Sequence, residues 1–304
     1  PLSAAATLAL FCAREPWVLR LAARPRRLSP ASRRALTVLA GASMAASVLA
    51  LASDTILRAS TVHLLGIDKI GLYQPVQVLT SVVLTQMAGV LSLVLLPRLS
   101  FQLGRGASAD VLNTLTKAAQ ASVVFIVPVL LLLMALRDVF IVVLFDSSFL
   151  GISGVLAVQL VAEVPRFAAY ALGSALLPAG LVRPWLVSSV VSTVLRVGTG
   201  LALLPAIGLY ALAFSTVVQW LAVLVYTAWV LKTQMGWQPD RRLGWLLVLG
   251  LLVVGAGCGL SIASRWGQLL LPLLALVWVL RLGRHEVTQV LGAVTNLVRA
   301  RRAA

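Results

Sequence analysis

Glu163 and Arg166 stand three residues apart, with Pro165 between them, inside the otherwise apolar stretch QLVAEVPRFAAYALG. That spacing puts both charges on one face of a helix, and Pro165 has no N–H to give the preceding turn. Asp54 and Arg58, four apart, share a face in another apolar run, and Ser189, Ser192, Thr193 and Arg196 form a polar stripe with Gly200 one turn further on. Gln74 and Gln77 add two amides. An ionisable group at depth in an apolar segment is costly unless it faces water or a partner, so each of these is a site candidate. Arg58, Arg166, Arg196, Gln74 and Gln77 are the candidates for holding a substrate in a lumen, because guanidinium binds phosphate and carboxylate bidentately. Asp54 and Glu163 are the candidates for charge balance or proton exchange. Plainer roles compete: a structural ion pair for Glu163 and Arg166, interhelical hydrogen bonding for the Ser/Thr stripe, and mutual neutralisation for Asp54 and Arg58.

The elements that must position these residues follow from composition. The chain has 304 residues, 60% hydrophobic and 11% charged, and its mean hydropathy of +1.00 is that of a membrane protein. A bilayer core of about 30 Å needs roughly 20 apolar residues per helix. Eight runs of that kind lie near 36–60, 72–97, 115–136, 150–179, 184–205, 208–231, 243–263 and 267–283. The expected fold is therefore all-α, a polytopic integral membrane helix bundle of eight complete spans plus a partial one, the scrap LSAAATLALFCA near the start. Because the chain opens on Pro1 within an apolar piece, it reads as the back end of a longer protein. Gly255 and Gly259 have the spacing of a close helix contact, Trp185, Trp229, Trp245 and Trp266 sit near span ends as interfacial anchors do, and Asp110 is placed to cap the third span.

The net charge of +16 is distributed by side. Alternate connections, together with both ends, hold 19 of the 25 Lys and Arg residues, whereas Arg58, Lys69, Arg137 and Arg265 fall on the other side and Arg166 and Arg196 within spans. The positive-inside rule makes the basic side, including the tail VRARRAA, cytoplasmic, in contact with anionic headgroups. Nucleic acid is not the expected partner, since no soluble fold with interleaved aromatics carries these charges.

Several chemistries lack their residues. The segment LGRGASAD has no terminal Lys-Ser/Thr and no strand before it, so it is no phosphate-binding loop. His63 and His285 are alone, and Cys12 and Cys258 each lie in an apolar segment, so neither a metal site nor a disulfide framework is implied. No cofactor is called for. A membrane-embedded enzyme using Asp68, Asp138 or Asp146 would want a large hydrophilic outer loop, and the longest outer connection contains the apolar run VFIVVLF.

Residues 55–100, TILRASTVHLLGIDKIGLYQPVQVLTSVVLTQMAGVLSLVLLPRLS, show an outer turn from Gly66 to Gly71, then Tyr73 and a long apolar helix ending at Pro97 and Ser100. With VVLFDSSF, VQLVAEVPRFAAYALGSALLPAG and the turn from Gly208 to Ala211, this resembles the second half of polysaccharide flippases of the MOP superfamily, Wzx type, over roughly residues 33–237. Within that turn the sequence reads Leu-Tyr where many relatives carry a second small residue. The resemblance implies helices seven to fourteen of a fourteen-helix transporter: the end of a preceding helix and a basic loop in 1–35, a six-helix lobe in 36–232, and two further helices with a basic tail in 233–304. It further implies a non-enzymatic carrier in the bacterial cytoplasmic (inner) membrane, working by alternating access. Its cargo would be undecaprenyl-diphosphate-linked oligosaccharide, as in O-antigen or enterobacterial common antigen synthesis. Its partners would be that lipid-linked oligosaccharide, membrane lipids, and the polysaccharide polymerase and chain-length machinery.

Two other functions stay open on the residues alone. A cation-coupled, multidrug-type antiporter shares the fold but favours lumenal carboxylates, whereas the deep charges here lean basic. A membrane-embedded glycan-assembly enzyme would change the length of lipid-linked sugar chains rather than move them. A half-transporter that has lost transport and acts as a scaffold is a third possibility.

Overall fold

The computed structural model describes residues 30–80, 85–105 and 108–283. Eleven α-helices and no strand occur among them: α1 Pro30–Leu65, α2 Ile67–Val78, α3 Thr85–Gly104, α4 Ser108–Ala135, α5 Arg137–Leu144, α6 Ser153–Val161, α7 Glu163–Gly173, α8 Val182–Ile207, α9 Tyr210–Met235, α10 Arg241–Ala263 and α11 Arg265–Trp278. A 3-10 segment, Ser147–Ile152, precedes α6, and a π turn, Val279–Gly283, follows α11. The all-α expectation holds. Residues 1–43 and 44–304 form two units; of the first, the structure describes the opening turns of α1, and the cavity, ion pairs and glycine contacts below belong to the second.

Among the described residues, six helical stretches are long and apolar enough to cross a membrane, not eight: Leu36–Leu65, Ala109–Ala135, Ser147–Gly173, Val182–Ile207, Tyr210–Met235 and Arg241–Ala263. The expected span at 72–97 runs through positions 81–84, which lie outside the described residues. The expected last span becomes the shorter Trp266–Leu282, about 26 Å of helix at 1.5 Å per residue. Cys12, His285 and the basic terminal segments also lie outside the described residues.

α4 is the hub. Val111, Leu115, Ala119, Val123, Ile126, Leu130 and Met134 recur every three or four residues and are all buried, the apolar stripe by which a helix seats itself in a core. This helix packs against α7, α10 and α11, while α9 packs against α6, α7 and α8. By contrast α1 and α8 bury little of their apolar surface.

Local chemistry sets the joints. Gly66 (φ 91°) and Gly208 (φ 56°) supply the positive φ that lets the chain leave α1 and α8. The turn expected from Gly66 to Gly71 is shorter than that, because α2 already begins at Ile67. The 150–179 span is broken: α6 stops at Val161 and α7 restarts at Glu163, so that Pro165 falls in the first turn of the new helix, where a missing N–H is tolerated. Asp110 lies in the first turn of α4 rather than at its cap, since that helix starts at Ser108, and there it favours the helix dipole. The apolar connection expected on the outer side is itself the helix α5.

The small-residue contact sits on another face than expected. A Cβ at Gly255 or Gly259 would meet nothing within 4 Å, whereas one at Gly250 would stand 3.1 Å from Val127 and one at Gly257 3.0 Å from Leu131 and 3.1 Å from Leu271. Gly250, Val254, Gly257 and Ser261 are the buried stripe of α10, and Gly255 and Gly259 are rotated away from it. Trp229, Trp245 and Trp266 are exposed near helix ends as expected, while Trp185 turns inward.

Candidate functional site

A partly open cavity of about 470 Å³ lies between α1, α7, α8 and α9. Its polar lining includes Ser53 from α1, the predicted stripe Ser189, Ser192, Thr193 and Arg196 together with Ser188 from α8, and Gln219 and Thr227 from α9, with Ser174 just after α7. Tyr170, Trp185 and Trp220 supply aromatic walls, and Ala46, Ala50 and Ala169 supply floor. The stripe faces inward because its members recur every three or four residues along α8. Gln219 Nε2 donates to Ser192 Oγ at 2.6 Å and so fixes the amide across the cavity. Ser53 is 2% exposed and its Oγ has no hydrogen-bond partner among the described residues; the same holds for the buried Nε of Arg196. Hydroxyls, an amide, aromatic faces and one guanidinium together suit a polar ligand with an anionic part.

Arg196 closes one end of this cavity. Its Nη1 lies 2.7 Å from Oδ1 of Asp54 on α1. Asp54 therefore pairs across helices and not with Arg58, one turn away on its own helix. Arg58 instead donates from Nη2 to Gln77 Oε1 on α2 at 2.7 Å. Asp54, Arg58, Gln77 and Arg196 surround one small gap with Tyr73, whose hydroxyl bonds Gln159 Oε1 at 3.3 Å. Gln74, on α2, is exposed and is not among the residues around that gap.

Glu163 and Arg166 form a separate group. Arg166 Nη1 donates to both oxygens of Glu163, at 3.0 and 3.2 Å, and Glu163 is fully buried. The guanidinium lies 5.2 Å from the ring centre of Trp220 and 5.5 Å from that of Tyr170. Both rings line the cavity and Arg166 does not, so the pair stands one layer behind an aromatic wall. The seven predicted residues thus divide between the Asp54–Arg196 junction, this buried pair and the exposed Gln74.

The sequence reading missed a third polar cluster. Arg137, expected in an outer connection, is 4% exposed. Its Nε donates to Ser153 Oγ at 2.6 Å, Nη1 to Ser261 Oγ at 2.5 Å and Nη2 to the Ser261 carbonyl at 2.7 Å. Ser153 Oγ also bonds Asp138, which accepts from Gln268 Nε2 at 3.2 Å. Burial alone would raise the Asp138 carboxyl, but the hydrogen bonds from Ser153 and Gln268 and the Arg137 guanidinium outweigh it and hold the pKa below the usual value. The signal was present: two adjacent charges inside LLLMALRDVFIVVLF meet the same test as Glu163 and Arg166. Asp68 and Asp146 are exposed, and no group of three or more His, Cys, Asp or Glu able to hold a metal occurs among the described residues.

Residues 8–154 match a family model described as polysaccharide biosynthesis protein. No curated protein and no solved structure matches the chain. Over its first half the chain is therefore similar to proteins of polysaccharide biosynthesis. Asp54, Arg58, Gln74 and Gln77 fall inside the matched segment, and Glu163, Arg166 and Arg196 beyond it.

Proposed function

We propose that this chain belongs to a flippase of the Wzx type, in the MOP superfamily, which carries undecaprenyl-diphosphate-linked oligosaccharide across the bacterial cytoplasmic membrane for cell-surface polysaccharide synthesis. The observation that carries this reading is the cavity beside Arg196, polar within an assembly of apolar helices, in a chain whose first half resembles polysaccharide biosynthesis proteins. Hydroxyl, amide and aromatic groups suit sugar rings, and the guanidinium suits the diphosphate. Arg196 attracts the charged headgroup into a low-dielectric cavity, helped by the field of Arg58 and of Arg166 behind its wall. Asp54 and Glu163 keep the empty site neutral, and one of them exchanges a proton during the cycle. The basic segments and the C-terminus lie on the cytoplasmic side, and the polymerase and chain-length machinery receive the cargo on the other.

Leaflet translocation of a fluorescent undecaprenyl-diphosphate glycan in proteoliposomes tests the reading. Arg196→Gln and Arg166→Gln are expected to reduce it with expression unchanged. Undiminished translocation in both variants overturns the roles given to these arginines. Altered sugar chain length points to an assembly enzyme, and proton-driven movement of cationic drugs to an antiporter.

A further inference from the structure

We infer that a phosphate-type anion competes with Asp54 for Arg196, and that its arrival releases the seam between α1 and α8 which the Asp54–Arg196 pair holds shut. This rests on the reading of Arg196 as an anion contact and adds a gate to it.

Three contacts define the seam. Asp54 meets Arg196, the Leu57 side chain reaches to 2.6 Å from where a Cβ of Gly200 would stand, and Leu65 approaches Gly208. Both series ascend together, so α1 and α8 run parallel. On the other side of the ion pair the same two helices part around the cavity, α1 presenting Ala46, Ala50 and Ser53, and α8 presenting Ser188 and Ser192. The pair therefore sits where the cavity ends and the seam begins.

Among the described residues α1 is lightly packed. Its backbone makes no extended approach to another helix among those residues, in contrast to α8 against α9. Only 11% of its apolar window is buried. The charged tie from Arg58 goes to the neutral amide of Gln77.

The pair is also poised for exchange. Arg196 meets Asp54 through Nη1 while its buried Nε makes no hydrogen bond among the described residues, so a phosphate, with several acceptor oxygens, can engage more of the guanidinium than Asp54 does. Ser53, adjacent to Asp54 and facing the cavity, offers a hydroxyl with no partner among the described residues. A displaced Asp54 has a second cation one turn away, since Arg58 shares its helix face and a carboxylate is a stronger acceptor than an amide. An uncharged sugar offers the guanidinium only neutral hydroxyls, weaker acceptors than the Asp54 carboxylate. The gate thus answers to the anionic part of a ligand.

Spin labels introduced by Val62→Cys on α1 and Ile207→Cys on α8, with Cys12 and Cys258 replaced by alanine, report the separation by pulsed electron paramagnetic resonance. The full chain is placed in nanodiscs of zwitterionic lipid and titrated with inorganic pyrophosphate. The expected result is a lengthening of the separation as the contacts of Leu57 with Gly200 and of Leu65 with Gly208 are lost. Asp54→Asn is expected to show the longer distance without ligand, and Asp54→Glu, which keeps the charge, the shorter one. Lengthening with anionic lipid but not with pyrophosphate identifies a lipid headgroup as the anion and upholds the gate. An unchanged short distance with pyrophosphate, with anionic lipid and in Asp54→Asn overturns it. If the gate fails while Arg196→Gln still abolishes glycolipid translocation, Arg196 binds the anion without gating, so the two readings fail separately.

Discussion

Arg137 grips Ser261 twice, with Nη1 on the hydroxyl at 2.5 Å and Nη2 on the carbonyl at 2.7 Å. Because Ser261 lies in the last turn of α10, the guanidinium satisfies a carbonyl that the helix end leaves without an intrahelical donor. Through Ser153 it also holds the start of α6, so one buried cation fastens three helices.

Arg137→Met is accordingly expected to lower stability by about 3 kcal/mol, because a buried acceptor and two hydroxyls lose a charged donor at once. Ser261→Ala keeps the carbonyl bond and is expected to cost about 1 kcal/mol. Thermal unfolding in detergent, compared at equal protein concentration, measures both.

Asp138 makes this cluster sensitive to acid. Its folded pKa is depressed, so its contribution is fully present above the unfolded value, near 3.9, and is lost as pH falls through the still lower folded value. Unfolding followed from pH 6 down to about 3 is expected to show the parent protein losing more stability than Asp138→Asn. Equal acid sensitivity in the two proteins contradicts the assignment.

Apolar run length made most of the spans legible, because crossing a bilayer imposes both length and composition on a single segment. Partners across helices were less legible. Asp54 and Arg58 satisfy the four-residue rule on their own helix, yet Asp54 meets Arg196, 142 positions further along. A local rule ranks neighbours along one helix and is silent about which helix arrives beside it. The same limit explains the glycines of α10. Spacing identified Gly255 and Gly259 as a pair, but only the packing of α4 and α11 selects the face carrying Gly250 and Gly257. The Ser/Thr stripe with Arg196 was legible because all its members lie on α8, whereas Ser53, Gln219 and Trp220 reach the cavity from other helices.

Glycine substitutions distinguish these faces. At Gly267 a Cβ would fall on the carbonyl of Leu260, a backbone group that cannot rotate away, so Gly267→Ala is expected to cost about 1–3 kcal/mol by overpacking. At Gly259 the space is open and the change is expected to be neutral or to stabilise by up to about 1 kcal/mol through helix propensity. Melting temperatures moving in the same direction by the same amount would contradict this packing of α10 against α11.

The Glu163–Arg166 pair gives the last prediction. Arg166→Gln leaves a carboxylate that is fully buried and has lost its cation, a change expected to cost about 3–5 kcal/mol. Removing both charges, Glu163→Gln with Arg166→Gln, replaces the ion pair by two amides that can bond one another, and is expected to recover most of that loss. A double-mutant cycle on thermal unfolding measures the coupling. Glycolipid translocation on the same proteins then separates two roles. If the pair only braces the aromatic wall of Trp220 and Tyr170, transport returns with stability in the double variant. If Arg166 also draws the diphosphate inward, stability returns and transport does not. Hydrophilic thiol labelling of Arg166→Cys gives an independent reading, since a position behind the wall stays unlabelled in this conformation, whereas labelling that lipid-linked glycan suppresses would place the position on the transport path.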